Sequence, residues 1–293
     1  MSHQDPNPLT KYPRPPYPEH DQPAPGSDAA MAVQADHGEK SYKGSGKLQD
    51  KAVLITGGDS GIGRAVALAY AREGADVLIS YLDEHEDARE TARLVEEAGR
   101  KAVLVAGDIG TEEHCRELVR RTQAEFGRLD VLVNNAAYQK SRDDIADITA
   151  QEIQHTYATN IFAMFYLVKA ALPGMKPGAS IINTCSVQAY QPTPELLTYA
   201  STKGAIVTFT KGLAKMVAKK GIRVNVVAPG PIWTPLIPST LGAEEAKKFG
   251  GQTPLGRAGQ PAELAGVYVL LASEEASYIT GMVYGVTGGM LTA

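Results

Sequence analysis

The sequence predicts a single doubly wound α/β domain, in which a seven-stranded parallel sheet is flanked by helices. Short apolar runs recur along the chain, and stretches with helical periodicity separate them. Strands of a parallel sheet are buried on both faces, so they require such near-continuous apolar runs. Strand and helix alternate throughout, and no residues remain for a second compact domain.

Seven apolar runs are expected to form the strands. They are AVLIT (52–56), DVLIS (76–80), AVLVA (102–106), DVLVN (130–134), SIINTC (180–185), IRVNVVA (222–228) and MVYGV (282–286). Two of the helices between them have recognisable ends. Residues 63–74 end at Gly74, a candidate C-cap, and residues 83–99 begin with a capping pair, Asp83 and Glu86.

Residues 1–46 differ in composition from the rest of the chain. Eight prolines disfavour helix and central strand there, and a Gly-Ser-Gly link ends the segment. Two interpretations are open: a disordered leader, or an extended arm laid over a neighbouring subunit. Tyr12, Tyr17 and Tyr42 would give such an arm apolar surface to bury. The folded domain is expected to occupy residues 47–293.

Composition and charge exclude several classes of protein. The 293 residues are 43% hydrophobic and 21% charged, which is typical of a soluble globular protein. The net charge is -4, and basic residues form no cluster longer than a pair, so no nucleic-acid partner is expected. No apolar run approaches the ~18 residues that span a bilayer, and the first residues lack a signal-peptide pattern, so no membrane partner is expected.

The cysteines and histidines predict neither disulfides nor a metal site. Cys115 and Cys185 are too few for a disulfide framework and fit a reduced cytoplasm, the expected location. Cys185 is expected to pack in the core because it alternates with Ser186 along a strand. The six histidines show no spacing with cysteines or carboxylates that is typical of a metal centre.

A glycine-rich turn, residues 57–63, follows the first strand. Gly57, Gly61 and Gly63 lie where the strand runs into a helix. Glycines let the backbone turn sharply, and the free amides of the helix N-terminus favour the pyrophosphate of a dinucleotide. The alternative is a tight turn without a ligand.

Polar residues also follow the third and fourth strands. Asp108 comes after the third strand, and Asn134, Asn135 and Ala136 come at the end of the fourth. Open α/β sheets bind ligands at these carboxyl ends, so the residues are expected to line an adenine and ribose site. Alternatively, Asp108 is a helix cap and the asparagines are turn residues.

Tyr199 and Lys203 form the pair that suggests catalysis. Their spacing of four places a phenol and an ammonium on one helix face, about one turn apart. A fixed positive charge favours phenolate, so Lys203 is expected to lower the pKa of Tyr199 toward the working pH, as a general acid/base requires. Ser186 ends the fifth strand 13 residues earlier, where it is able to bond a carbonyl oxygen. A surface tyrosine beside a solvated lysine is the alternative for the pair alone.

In combination, these motifs resemble the short-chain dehydrogenase/reductase family, over about residues 47–293. The matching features, in that family's order, are TGGDSGIG, NNAA, Asn160, Ser186, the Tyr199 and Lys203 pair, and PGPIWT at 229–234. The Pro-rich leader, GGDSGIGRA and VQAYQPTPELLTYA further resemble bacterial general-stress and glucose-dehydrogenase-like oxidoreductases. The resemblance implies a Rossmann domain that moves a hydride between NAD(P) and an alcohol/carbonyl pair.

The resemblance also implies roles for individual residues. Tyr199 would be the acid/base, Lys203 its partner and a ribose ligand, Ser186 the carbonyl polariser, and Asn160 the holder of a proton-relay water. Ala137 departs from the family, which usually has glycine there. The implied cofactor contacts are Gly57, Asp59, Ser60, Gly61, Ile62, Gly63, Tyr81, Leu82, Asp108, Ile109, Asn134, Asn135, Ala136, Tyr199, Lys203, Pro229, Gly230, Ile232 and Thr234.

The substrate is expected to be a small polyol, sugar, aldehyde or ketone. Residues 231–260 are rich in Pro and Gly hinges and are expected to set its identity, together with residues after the fourth and fifth strands such as Gln139, Gln188 and Tyr190. One alternative is a 3-oxoacyl-thioester reductase, for which Arg142 and Arg257 form too small a basic patch. Another is a non-catalytic, cofactor-sensing regulator, which the Tyr and Lys pair argues against.

The cofactor is expected to be NAD in preference to NADP. Family members that bind NADP commonly carry a cation at the positions of Ser60 or Leu82, and the acidic run 83–87 should repel a 2′-phosphate. Two residues argue against a strict preference: Tyr81 stands where strict NAD enzymes carry aspartate, and Arg64 is close enough in sequence to reach a phosphate. The acidic run is alternatively a helix-start cluster favoured by the helix dipole.

A homotetramer is the expected assembly. The family resemblance and the apolar run IFAMFYLVKAAL (161–172) predict one interface from helices near 150–172 and 198–220, and another from the last strand.

Overall fold

The computed structural model describes residues 7–291, and within them seven parallel strands form one sheet in the order β3-β2-β1-β4-β5-β6-β7. The strands are β1 Ala52–Thr56, β2 Asp76–Tyr81, β3 Ala102–Ala106, β4 Val131–Asn134, β5 Ser180–Thr184, β6 Arg223–Pro229 and β7 Val283–Val286. This confirms the predicted doubly wound fold. The strand order reverses between β1 and β4, and crevices form at such switch points.

Nine α-helices connect and flank these strands within the described part of the chain. They are α1 Gly61–Arg72, α2 His85–Glu97, α3 Glu112–Phe126, α4 Ala150–Tyr157, α5 Ala163–Ala171, α6 Leu197–Val217, α7 Leu236–Thr240, α8 Ala243–Lys248 and α9 Ala262–Ala272. A π-helical turn, Ala158–Phe162, separates α4 from α5. No described helix is long and apolar enough to cross a membrane.

Each face of the sheet carries one apolar layer, and β1 shows how the sequence divides between them. Val53 and Ile55 pack with α1 and α9 on one face, whereas Leu54 packs with α3, α5 and α6 on the other. Successive side chains of a strand point to opposite faces, so a strand covered by helices on both sides needs the unbroken apolar run seen here.

Two predicted helix starts are wrong, whereas Gly74 ends α1 as predicted, one residue after the C-cap position. Helix α2 begins at His85 after Glu84 and has no side-chain capping hydrogen bond, so Asp83 and Glu86 do not form a capping pair. Helix α1 starts at Gly61, two residues before the predicted start, and Glu73 is its C-cap residue. Gly74 follows with φ +99°, a conformation that glycine adopts without steric cost.

The described part of the Pro-rich segment, residues 7–46, contains turns and bends but no helix or strand. It lies against the folded domain of its own chain, and Tyr17 and Met31 are buried there. Residues 1–6 of the predicted tail lie outside the described residues, as do residues 292 and 293. A domain boundary at residue 46 and an arm laid over a neighbouring subunit both stay predictions.

Candidate active site

A cavity of about 860 Å³ opens at the carboxyl ends of the strands. Its volume falls within the range of sites for small molecules and cofactors. The predicted site residues that line it are Gly57, Asp59, Ser60, Gly61, Ile62, Tyr81, Leu82, Asp108, Ile109, Asn135, Ala136, Ser186, Tyr199, Lys203, Pro229, Gly230, Ile232 and Thr234. The structure therefore brings the glycine-rich turn and the Tyr199–Lys203 pair into one cavity.

Glycine is required twice in the glycine-rich turn. Gly57 has φ +60°, and a Cβ there would lie 2.9 Å from the Cα of Ala136, on the neighbouring strand's loop. Gly63 does not line the cavity, since it packs α1 against the turn: a Cβ would lie 1.8 Å from the carbonyl oxygen of Gly57. The turn therefore keeps its backbone close to the cavity, as the approach of a phosphate group requires.

Ser186, Tyr199 and Lys203 come together on the wall of the cavity. Ser186 follows β5, and the other two project from the first turns of α6. The Lys203 Nζ donates to the carbonyl oxygen of Thr184 at 3.0 Å and lies 5.1 Å from the centroid of the Tyr199 ring. The Ser186 Oγ accepts from the backbone N–H of Gln188 at 3.2 Å, which leaves its hydroxyl proton for another acceptor.

Burial controls the pKa values of this pair. It raises the pKa of Tyr199 well above its usual range, and a hydrogen bond with Ser186 offsets only part of the rise. It also lowers the pKa of Lys203 to about 8. The pKa of Tyr199 is therefore raised rather than lowered as expected, and burial is the largest cause. Tyr199 is held as a neutral phenol, which is the form of a proton donor.

Asn160 lies beside the cavity rather than on its wall. Its Oδ1 accepts from the Tyr138 N–H at 2.8 Å, and its Nδ2 donates to the Tyr138 carbonyl and to the Thr202 hydroxyl. It shares with Asn134 the lining of a second cavity of about 10 Å³, roughly the volume that one water molecule needs. Asn134 also avoids the main cavity and donates to the Asn183 side chain.

The end of the cavity that is lined by Asp59, Leu82, Glu84 and Asp108, which we call the far end, is acidic. Asp59 is buried there, and burial together with the charge of Glu84 raises its pKa to about 7. Tyr81 ends β2, while Leu82 is 48% exposed. Arg64 does not point into this end, since its guanidinium donates to Thr91 and pairs with two buried aspartates. It is therefore not available to a phosphate, contrary to the alternative that sequence proximity allowed.

Several lining residues were not predicted from sequence. Thr184 ends β5 and Tyr138 lies in the loop after β4, so the carboxyl-end rule that singled out their neighbours applied to them equally. Pro25 comes from the Pro-rich segment, and no sequence signal indicated that it lines the cavity. Among residues 7–291, no three histidine, cysteine or acidic side chains are arranged to hold a metal ion.

Comparisons with known proteins agree with this geometry. A protein-family model described as Enoyl-(Acyl carrier protein) reductase matches residues 57–291. General stress protein 39 of Bacillus subtilis (strain 168) is 53% identical over 265 residues, which cover 90% of this chain and 93% of that protein. Glucose and ribitol dehydrogenase of Daucus carota is 45% identical over 280 residues, covering 94% and 96%.

A solved structure is also similar over the folded domain. It is a short chain dehydrogenase from Burkholderia cenocepacia J2315 in complex with NADP, 31% identical with a TM-score of 0.78, and the match covers 83% of this chain and 98% of that one. These matches confirm the resemblance found in the motifs. The chain is an oxidoreductase and belongs to the short-chain dehydrogenase/reductase family.

Proposed function

We propose that the protein catalyses reversible hydride transfer between a nicotinamide cofactor and a small polar alcohol or carbonyl compound. The substrate is a polyol, sugar, aldehyde or ketone, and Tyr199 is the general acid/base. The observation that carries this proposal is the meeting of Ser186, Tyr199 and Lys203 in a cavity that ends at the glycine-rich turn. The Burkholderia relative was solved in complex with NADP, which supports a cofactor of the same class here.

The residues present fit a dinucleotide. The glycine-rich turn leaves no room for a Cβ at Gly57, so its backbone stays open to a phosphate group, and Ile62 and Thr234 lie on the cavity wall nearby. Lys203 uses one N–H for Thr184 and keeps two for ribose hydroxyls. When bound, the nicotinamide ring gives the hydride to the substrate carbon or takes it back.

The chain's own residues handle the proton. In reduction, the Tyr199 phenol donates its proton to the developing alkoxide oxygen, while the Ser186 hydroxyl donates a hydrogen bond to the same oxygen. In oxidation, Tyr199 must accept a proton as phenolate, and the ammonium of Lys203 stabilises that charge. Burial of both side chains excludes water from the proton path and strengthens these electrostatic contacts.

The substrate half of the cavity favours a hydroxylated molecule. Its wall includes many amide, hydroxyl and carboxylate groups: Gln139, Ser141, Gln188, Gln191, Thr193, Glu195 and Gln252. Such groups hydrogen-bond the hydroxyls of a polyol or sugar and penalise an apolar ligand that leaves them unpaired. The name of the carrot relative, glucose and ribitol dehydrogenase, supports the same substrate class.

A thioester substrate on a carrier protein has less support. Such a carrier is acidic at its phosphate arm and needs free cations at the cavity mouth. The two arginines considered for that role are both engaged: Arg142 pairs with Glu152 at 2.6 Å, and Arg257 pairs with Glu263 at 2.8 Å.

A moderate preference for NAD over NADP is part of the proposal. Its support is the chemistry of the cavity's far end, where Asp59, Glu84 and Asp108 lie on the wall. No arginine lines the described cavity, and its lysines, Lys203 and Lys248, come from the catalytic helix and from α8. A 2′-phosphate would therefore meet carboxylates without a compensating cation.

The test is a panel of sugars, polyols, aldehydes and ketones, followed by nicotinamide absorbance with each cofactor. We expect oxidation of at least one sugar or polyol, and a higher kcat/KM with NAD. Turnover of acyl thioesters with no turnover of hydroxylated substrates contradicts the substrate class. A kcat/KM advantage for NADP of about tenfold or more contradicts the cofactor preference.

The protein is further proposed to be a cytoplasmic homotetramer. Phe162, Phe165, Leu197 and Met216 are exposed on α5, α6 and the π-helical turn, and an apolar face of this kind is typical of a subunit interface. Both cysteines are free thiols, which supports a reducing compartment.

A further inference from the structure

The Pro-rich segment connects two parts of the active site that are distant in sequence. Residues 17–42, which we call the strap, contact both the 231–260 loop and the glycine-rich turn. The loop carries α7 and α8 over the substrate half of the cavity, and the turn forms its cofactor half. Pro25 of the strap itself lies on the cavity wall.

The strap fastens the 231–260 loop through an aromatic stack. Tyr17 and Trp233 are both almost fully buried, and their ring centroids lie 4.2 Å apart with an interplanar angle of 28°. The indole Nε1 donates to the carbonyl oxygen of Val33 at 2.8 Å, so the strap contacts Trp233 at two points. The backbone N–H of Tyr17 donates to the carbonyl of Lys247 in α8 at 2.8 Å.

A second contact lies at the tip of the same loop. The Gln22 N–H donates to the carbonyl of Pro238 in α7 at 3.0 Å, and the Ser239 hydroxyl donates to the carbonyl of Pro25 at 3.1 Å. Gly26 then turns the chain with φ +87°, and a Cβ there would lie 2.6 Å from the Pro235 carbonyl oxygen. Side-chain and backbone contacts thus hold α7 and α8 to one continuous piece of chain.

Beyond this turn, Asp28 reaches the glycine-rich turn. Asp28 is 2% exposed, and its Oδ2 accepts from the Gly61 N–H at 2.9 Å. The same oxygen lies 3.3 Å from Arg64 and 3.1 Å from His37. Arg64 in turn pairs with Asp87 of α2, which also accepts from the Asp28 N–H. The start of α1 is therefore fixed by a buried charged cluster to which the strap contributes two side chains.

The charges of the cluster are arranged to keep Asp28 ionised. Burial opposes ionisation, but His37 and Arg64 outweigh it and the pKa of Asp28 is lowered. A carboxylate at the first turn of a helix is favoured by the helix dipole, and here it also fixes the amide of Gly61. Since Gly61 and Ile62 line the cavity, the position of their backbone depends on a residue of the strap.

We propose that the strap holds the 231–260 loop and the glycine-rich turn in their binding arrangement, and that Asp28 is a positioning residue for the cofactor. This rests on the proposed function only for the identity of the cofactor. A carboxylate-to-amide change at residue 28 weakens the hydrogen bond from the Gly61 N–H and leaves Arg64 partly unpaired. Cofactor affinity therefore falls, while Tyr199 and its chemistry stay in place.

The test uses full-length protein with Asp28→Asn, Tyr17→Ala and two controls. Tyr17→Phe keeps the stacked ring, and Asp21→Asn changes an exposed carboxylate of the same segment. Trp233 is the only tryptophan of the chain, so its fluorescence emission reports directly on the strap. We expect the emission maximum of Trp233 to shift to longer wavelength in Tyr17→Ala, because loss of the stacked ring exposes the indole, and not to shift in Tyr17→Phe. For Asp28→Asn we expect the Kd for NADH to rise about fivefold or more, with kcat at saturating NADH within about twofold of wild type.

Each outcome either supports the role of the strap or overturns it. Unchanged emission in Tyr17→Ala, or unchanged NADH affinity in Asp28→Asn, overturns the proposal. An Asp28→Asn variant that loses thermal stability and kcat in proportion to its affinity has a general structural defect, which also overturns the positioning role; far-UV circular dichroism identifies that case. If the wild-type protein binds neither NADH nor NADPH, the proposed function fails, and the strap is then judged on the Trp233 emission alone.

Discussion

The ammonium of Lys203 is buried and bonded to the backbone oxygen at the end of β5. Burial of a cation is unfavourable, and this desolvation lowers the pKa of Lys203 to about 8. Tyr199, one turn away, is shifted by the same burial in the direction of its neutral form. At the scale of single residues, desolvation therefore decides which protonation states the site holds.

Replacement of the phenol tests the role of Tyr199. We expect Tyr199→Phe to fold and to bind NADH like wild type, but to lose turnover by about 10² to 10⁴-fold, because it removes only the proposed proton donor. Initial rates at saturating cofactor check this, with Tyr278→Phe, a fully exposed tyrosine, as the control. Retention of more than about a tenth of the wild-type kcat removes Tyr199 from the mechanism.

Lys203 predicts a pH dependence of cofactor binding. Its folded pKa is depressed to about 8, so the ammonium that is proposed to hold the ribose is present well below that pH and is lost as the pH rises through it. Wild-type affinity for NADH should fall as the pH rises through that value. Lys203→Met should bind NADH weakly at every pH and lose this dependence. Fluorescence titration from about pH 6 to about pH 9 measures both, and an equal pH slope in the variant contradicts the assignment.

Asp59 predicts a change in stability with pH. Its folded pKa of about 7 lies above the ordinary value for aspartate, so the folded state binds this proton more tightly than the unfolded chain does. The side chain consequently destabilises the fold progressively as the pH rises toward 7, and fully above it. Asp59→Asn should raise the Tm by several degrees at about pH 8 and by less at about pH 5. Asp83→Asn, on an exposed aspartate, is the control, and an equal Tm gain at both pH values contradicts the argument.

Leu82 tests the proposed cofactor preference. It is exposed beside the acidic end of the cavity, so an arginine there places a cation where a 2′-phosphate would lie. Leu82→Arg should shift the ratio of kcat/KM toward NADP by about tenfold, the size of one charge-assisted hydrogen bond. Leu82→Gln removes the leucine without adding charge and should leave the ratio near that of wild type. A shift of equal size in both variants shows that charge is not the cause.

At the scale of elements, the strands were predicted more accurately than anything else. The predicted bounds of β1 and β3 agree with the observed ones, because each is an unbroken apolar run that a glycine follows, Gly57 after β1 and Gly107 after β3. The helix ends were less accurate, since capping depends on backbone geometry that several residue types satisfy. The pair Asp83 and Glu86 had suitable side chains, yet α2 starts after both Asp83 and Glu84.

Short elements and π-helical turns left no sequence signal. Helices α7 and α8 have five and six residues, too few to show a helical period, so the 231–260 loop was predicted without them. The π-helical turn, Ala158–Phe162, lies within residues 150–172, which were predicted to be helical and part of one interface. Asn160 is buried there, while Phe162 and Phe165 remain exposed.

For the candidate site, the residues with a chemical role were predictable from sequence, whereas contacts that depend on packing between distant segments were not. Tyr199, Lys203 and Ser186 were predicted to meet because the proposed reaction needs those groups at that spacing, and all three line one cavity. Pro25 was missed because its place on the cavity wall depends on packing against α7, more than 200 residues later in the chain. The pKa of Tyr199 was predicted with the wrong sign because the extent of burial is a property of the folded structure.

At the scale of the whole molecule, assembly and the Pro-rich segment are tested together. We expect static light scattering to give a tetramer, and Phe165→Arg to reduce it to smaller species, since a charge would be buried at the apolar face of α5.

Deletion of residues 1–40 removes Tyr17 and Asp28, so we expect a lower Tm. A monomeric wild type contradicts the assembly, and an unchanged Tm after the deletion indicates an inert leader.

The contacts of Tyr17 with Trp233 and Lys247 join segments that are far apart in the chain. During synthesis the strap leaves the ribosome first, but Trp233 and Lys247, its partners, follow more than 200 residues later. We expect contacts between such distant residues to form late, because the intervening chain must lose conformational entropy before these contacts stabilise the fold. The sheet and its helices are therefore able to form while the strap is still undocked. We therefore expect the contacts of Tyr17 to form late in folding, so that the substrate half of the cavity is completed after the sheet.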